Sequence, residues 1–191
     1  MYTKVNSNLP LLSGLALTSA ALLSACGPEG EFEDAINAEL QDREMCWNIS
    51  SSKPVTFPIK VKRSFGSSQD LHPILAGLQA QGLVELEVLD TKFIRSDKID
   101  LTSEGERHDI WTDGEGFCLG APEVVEIVRF TYADNGQNEN AASVEFTYQY
   151  EEVPSWLDRD AFAGIPGMAD PEEGYAEVQK SSDGWHASSW F

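Results

Sequence analysis

Three cysteines, three histidines and a large surplus of carboxylates are the residues here whose types can do chemistry. The histidines, His72, His108 and His186, are scattered. There is no Gly-x-Ser-x-Gly nucleophile elbow and no His-Glu-x-x-His metal helix. Gly114-Glu115-Gly116 lacks the further glycine and the helix of a dinucleotide loop, so it reads as a turn. His108-Asp109 with Asp113 and Glu115 could hold a cation, but solvated loop residues are the simpler reading. Asp134 to Asn140 is oxygen-rich, yet Gly136 stands at the third position, where a calcium loop needs a ligand. A hairpin turn explains it better. With 32 Asp and Glu, pairs such as Glu151-Glu152 say little about acid–base catalysis. No catalytic residue, metal ligand set or cofactor is assigned, and the expectation is that the protein is not an enzyme.

The composition narrows the partners. Across 191 residues, 13 Lys and Arg stand against 32 Asp and Glu, a formal charge of −19. Phosphate recognition depends on clustered Lys and Arg, so no nucleic-acid partner is expected. Direct adhesion to anionic lipid is disfavoured for the same reason. The acidity reads most simply as solubility or as a saline habitat's proteome. Hydrophobic residues at 41% are enough for a packed core.

Position gives Cys26 a different meaning from the other two cysteines. Met1 to Lys4 carries one positive charge, and Leu9 to Leu23 is an uncharged run rich in Leu and Ala. That run is short of the roughly 20 apolar residues a spanning helix needs and suits a signal-peptide core. It ends in Leu23-Ser24-Ala25-Cys26, which resembles the lipobox of bacterial lipoproteins. The resemblance implies a signal peptide over residues 1–25, cleavage before Cys26, diacylation of its thiol and acylation of the new amino group. Three chains exceed what stable anchoring requires. Gly27, in place of Asp, resembles the pattern of lipoproteins passed on to the outer membrane. The implied product is lipid-anchored in the outer membrane, facing the periplasm or displayed outside. Residues 26–191 would then form a single periplasmic domain, with possible lobes at 31–116 and 117–191.

Cys46 and Cys118 remain, an even count in an oxidising compartment, and are expected to pair. No Cys-x-x-Cys or neighbouring His cluster supports a metal site there. The bridge would close a loop of about 70 residues, for which chain entropy suggests ~4 kcal/mol.

The elements that must position these residues follow from periodicity. Phe32, Ile36 and Leu40 recur every fourth residue and predict a helix over 31–47, with Cys46 in its last turn. Val55 to Lys62 reads as a strand at a sheet edge, because of Pro58. Leu71, Ile74, Leu75 and Leu78 predict a helix capped by Ser68 or Asp70 and stopped by Gly82. Val84, Leu86 and Val88 alternate with Glu85 and Glu87. Arg95 to Lys98 reads as a polar connection, and Thr102 as the cap of a short helix. Val124 to Tyr132 is a strand, and Val144, Phe146, Tyr148 and Tyr150 alternate cleanly with polar residues. Pro154 to about Phe162 is expected to be a short helix, Gly164 to Gly174 a loop. Ser181 to Gly184 is a tight turn between two final strands.

Leu75 to His108 resembles half of a winged-helix domain, including a Leu101-Thr102-Ser-Glu-Gly105 step like that of MarR-type regulators. The upstream helix pair of such a domain is missing, and the export signal contradicts a DNA role. The pattern Leu101-Thr102…Gly105, Phe117-Cys118-Leu-Gly120, Val124-Val125 and the Trp156 segment is similar to proteobacterial exported proteins of no assigned activity.

Taken together, the chain is expected to be α+β. An N-terminal helix and a small helix–strand lobe would pack on an antiparallel sheet of two hairpins. The expected role is a non-enzymatic one in the envelope, protein binding or structural support. Two alternatives stay open: a module for a sugar, lipid or cation, and an enzyme whose site is assembled from distant residues. Trp156, Trp185, Trp190, Tyr148, Tyr150 and Tyr175 could form a binding face. The alternation favours a core reading, with Phe146, Tyr148 and Tyr150 inward beneath a helix carrying Trp156.

Overall fold

The structure, a computed structural model, describes residues 27–49, 54–62, 71–90, 95–133 and 138–190. Cys26, the apolar run before it, the Gly66 to Ser68 turn and most of the Asp134 to Asn140 turn lie outside the described residues. The fold is α+β, and its strand pairings are antiparallel.

Helix α1 covers Glu29–Gln41 and buries Phe32, Ala35, Ile36 and Leu40 on one side. It stops earlier than its periodicity predicts. The Met45 N–H donates to the Gly120 carbonyl (3.0 Å) and the Leu119 N–H to the Met45 carbonyl (2.9 Å). These bonds draw the chain into extended pairing. Cys46 therefore lies on strand β1 (Cys46–Trp47), which pairs with β5 (Phe117–Cys118), and not in a helical turn.

The larger sheet is a meander of β6 (Pro122–Tyr132), β7 (Asn138–Tyr150), β8 (Glu172–Ser181) and β9 (Gly184–Trp190). Its inner face meets α1 through Val124, Ala142, Val144, Phe146, Ala176, Val178 and Trp185. Gly174 makes room for this packing: a Cβ there would stand 2.6 Å from the Phe146 ring. The final hairpin turns through Ser182 and Asp183.

A smaller sheet has the order β2 (Ile59–Lys62), β4 (Arg95–Leu101), β3 (Val84–Asp90). Strand β2 sits at an edge, after Pro58. Arg95 to Lys98, expected as a connection, belongs to the central strand. Its charges escape a polarity-based reading because both neighbours supply ladder partners. Helix α2 (Pro73–Ala80) has His72 as its cap, while Ser68 and Asp70, the expected caps, lie outside the described residues. The His72 Nδ1 accepts from the Ile74 N–H (3.3 Å), with Pro73 at the first helical position. Gly82 stops it at φ +73°.

Helix α3 (Ser103–Arg107) begins at Thr102, whose hydroxyl oxygen accepts from the Gly105 N–H (3.0 Å). The hydroxyl faces the Gly82 and Leu83 carbonyls at 2.8 and 3.1 Å. The expected helix from Pro154 is only a 3-10 turn, Arg159–Phe162. Asp158 caps it by accepting from the Asp160 N–H, and it ends at Ala163 before Gly164.

Two clusters make the core. One gathers Ile74, Leu75, Leu78, Leu83, Ile99 and Phe117 with Tyr150, Phe162, Ile165 and Met168. The other joins α1 to the large sheet. Neither is built from one half of the chain. Phe162 reaches back onto α2 at Gly77, where a Cβ would stand 2.3 Å from its ring.

Candidate functional site

The residues singled out for chemistry do not converge. His72 caps α2, His108 Nε2 lies 3.0 Å from Glu104, and His186 Nε2 lies 3.2 Å from Asp183. Asp113, a candidate cation ligand, instead accepts from the Trp111 indole (3.0 Å) and the Val55 N–H (3.1 Å). These bonds hold its carboxyl below the ordinary range, the Val55 amide contributing most. Gly114 and Gly116 are turn glycines, at φ +94° and +95°.

Cys46 and Cys118 stand directly opposite one another with their sulfurs 2.08 Å apart. Glu44 lies beside them, and the three ligand-type atoms fall within 4.8 Å of one another. With both sulfurs in a bridge, only the carboxylate could act as a ligand. An adjoining cleft of about 460 Å³ is lined by Glu44, Glu123, Glu151 and Glu152 with Gln41 and Gly120. It offers anionic charge and no nucleophile.

The aromatics divide. Phe146, Tyr150 and Trp185 are buried, and Tyr148 is half-buried. Trp156 packs near Phe162 (6.4 Å between centroids) in the first cluster, so it does not roof the sheet; α1 does. Burial and the neighbouring Glu172 push the Tyr148 hydroxyl up, and burial does the same to Tyr150. A group the sequence reading did not assemble joins Trp47, Phe57, Trp111 and Phe117 in successive ring contacts of 4.9–6.5 Å. Only Trp47 and Phe117, flanking the cysteines, carried any advance signal.

The side of the large sheet away from α1 carries a groove of its own. Strand β6 carries two bulges, which shift its register against β7 between Val124 and Glu126 and again between Ile127 and Arg129. The unpaired extra residues are Val125 and Val128. They are 52% and 55% exposed. The bulges let Val124, Ile127 and Phe130, three apart, all serve the inner core, while Val125 and Val128 turn outward. The run Val124-Val-Glu-Ile-Val128, which breaks strict alternation, was the signal that could have revealed them.

Across this face Arg129, Glu145 and Tyr175 form one cross-strand row. Arg129 grips Glu145 with two bonds, 2.7 and 2.5 Å, and this pairing raises the guanidinium pKa further. In the next row the Ser143 hydroxyl donates to Glu177 (2.9 Å), and the Tyr175 hydroxyl donates to the same oxygen. That bond to Glu177 is the main cause raising the Tyr175 pKa. A shallow groove of about 320 Å³ crosses three strands, lined by Val128, Glu145, Phe146, Glu173, Gly174 and Tyr175. Ser143 has a carboxylate neighbour, but the N–H groups around it belong to ladders with β6 and β8. The face can offer two exposed valines, a cross-strand ion pair and carboxylates around the groove.

Among the described residues, no helix is long and apolar enough to cross a membrane. Compared with protein-family models, curated proteins and solved structures, the chain matches none.

Proposed function

We propose that this chain is an outer-membrane lipoprotein, anchored by lipid at Cys26, with a non-enzymatic role: docking another envelope protein on the open face of its large sheet. The anchoring rests on the Leu-Ser-Ala-Cys step after an uncharged apolar run. The docking rests on one observation, the exposed bulge residue Val128 in the lining of the groove with Glu145, Glu173 and Tyr175, with Val125 exposed on the same strand. Exposed apolar side chains set among polar groups on an open sheet face suit a protein contact. The carboxylates around it favour a partner with basic residues at its rim. The burial of Phe146, Tyr150 and Trp185 weighs against a sugar-stacking groove on this sheet.

Two experiments test the two parts. Cys26→Ala should abolish palmitate labelling and release the protein from the membrane fraction; unchanged labelling refutes the anchor. A photo-crosslinking amino acid at Val128, activated in intact envelopes, should capture one defined protein, and Val125→Asp should abolish the capture. Crosslinks no more frequent than from the exposed Glu106 of α3 would overturn the docking face.

A further inference from the structure

Only Gly27 and Pro28 stand between Cys26 and helix α1, which begins at Glu29. With Cys26 acylated, as proposed, the three peptide units from Cys26 to Glu29 hold the start of α1 within about 10 Å of the anchored residue. The contacts of α1 show which end of the fold that is. The Phe32 ring meets Phe130, Tyr132 and Trp185, and the Trp185 indole donates to Glu31 (3.0 Å). Farther along the helix, the Asn37 side-chain oxygen accepts from the Val124 N–H (2.8 Å). The helix thus runs beside β6 from its Tyr132 end toward its Val124 end. Trp185 directly follows Gly184, so the turn of Ser181 to Gly184 lies at the same end as Glu31. The disulfide follows the other end of α1, where Met45 bonds to Gly120.

Charge disfavours laying either broad side of the large sheet on a membrane. Glu33 and Asp34 are exposed on α1. Glu126 and Glu173 are exposed on the open face, in one cross-strand row through Thr147. Anionic headgroups repel such faces over a range of about 8 Å at physiological ionic strength. The tip from Lys180 to Gly184 is different, because Lys180 and Asp183 are one charge of each sign.

We infer that the domain stands end-on upon its own membrane, with the start of α1 and the β8–β9 tip against the lipid headgroups. The inference rests on the acylation of Cys26, and the missing linker selects the partner. An anchor two residues from a folded helix keeps that end at the surface, and the carboxylates of the two broad sides keep the domain from lying down. Strand β8, Glu172–Ser181, then points away from the membrane and spans about 30 Å. The groove at Tyr175 stands about 20 Å up the strand from Ser181, a height that suits a docking partner held in the same membrane.

The test is energy transfer from the membrane-extracted protein, reconstituted in vesicles of phosphatidylcholine and phosphatidylglycerol, to an acceptor dye on the lipid headgroups. Ser182→Cys and Asp170→Cys put a donor dye at exposed sites near the two ends of β8. Transfer from Ser182 should exceed that from Asp170 about twofold or more, given some 30 Å of strand between them. A flexible Gly-Ser linker of about 20 residues inserted after Gly27, with a reach of about 25 Å, should bring the two signals together. Unaltered urea midpoints show that the labelled variants are folded. Equal transfer from both sites in vesicle-bound protein overturns the end-on placement, and so does a difference that survives the linker. Flotation reads the anchor separately: protein that does not float with the vesicles refutes the acylation, and the placement falls with it.

Discussion

Phe32 of the first helix stands edge-on to Trp185 of the last strand, their ring centroids 4.8 Å apart and their planes at 89°. Phe130 meets the same Phe32 ring at 5.2 Å. One side chain therefore ties α1 to both edge strands of the large sheet. Edge-to-face geometry adds to the gain from area buried alone.

Phe32→Ala should cost about 3–5 kcal/mol, the range for truncating a fully buried aromatic. Phe32→Leu should recover more than half of this. Urea unfolding midpoints measure both. A loss below about 1 kcal/mol for the alanine variant would mean that α1 is not docked as described.

The bridge between Cys46 and Cys118 lies on directly opposed residues, with Cα atoms 4.1 Å apart and a sequence separation of 72. Cys46→Ser, Cys118→Ser and the double variant should be destabilised to a similar degree, roughly 2–5 kcal/mol. Mass spectrometry of unreduced protein should show two fewer hydrogens than the reduced form. Free thiol titrating at both positions in protein purified without reductant would remove the bridge.

Gly105 is required by close approach. A Cβ there would stand 2.2 Å from the Leu83 carbonyl oxygen, which cannot move without disturbing the start of β3. Gly105→Ala should therefore cost on the order of 1–3 kcal/mol despite the better helix propensity of alanine. A stabilised variant in thermal unfolding would contradict this packing. The Thr102 cap and the Gly105 contact together explain the Leu-Thr-x-x-Gly step as a way of turning a strand into a helix against its neighbour.

His72 supplies a pH-dependent cap. Burial lowers its pKa from the ordinary 6.5. The unfolded chain then binds the proton first as pH falls, so stability is complete above about 6.5 and declines toward the lower folded value. Protonation also removes the lone pair that accepts from the Ile74 N–H. His72→Asn keeps a cap without a titrating group and should flatten the stability profile across this interval. Identical slopes for the two proteins, from urea midpoints, would show that the cap does not titrate in that range.

Local periodicity determined much of this protein by itself. Phe32, Ile36 and Leu40 marked the buried face of α1, Val144 and Phe146 the inner side of β7, and Ser181 to Gly184 the last turn. Thr102 and Gly82 were legible as a cap and a stop, because capping is satisfied within a few residues. Counting cysteines singled out Cys46 and Cys118, since pairing depends on number and compartment before geometry.

What remained was decided by partners far away in sequence. The periodic pattern runs past Gln41, but pairing with Leu119 and Gly120 pulls Met45 and Cys46 into an extended chain. Arg95 to Lys98 looks polar in isolation and becomes a central strand only between β2 and β3. The candidate face depended on the same kind of information. Exposure of Val125 and Val128 follows from two bulges set by the ladder with β7. Backbone hydrogen bonds between strands carry no local signature in the side chains, so the tertiary structure alone could place them.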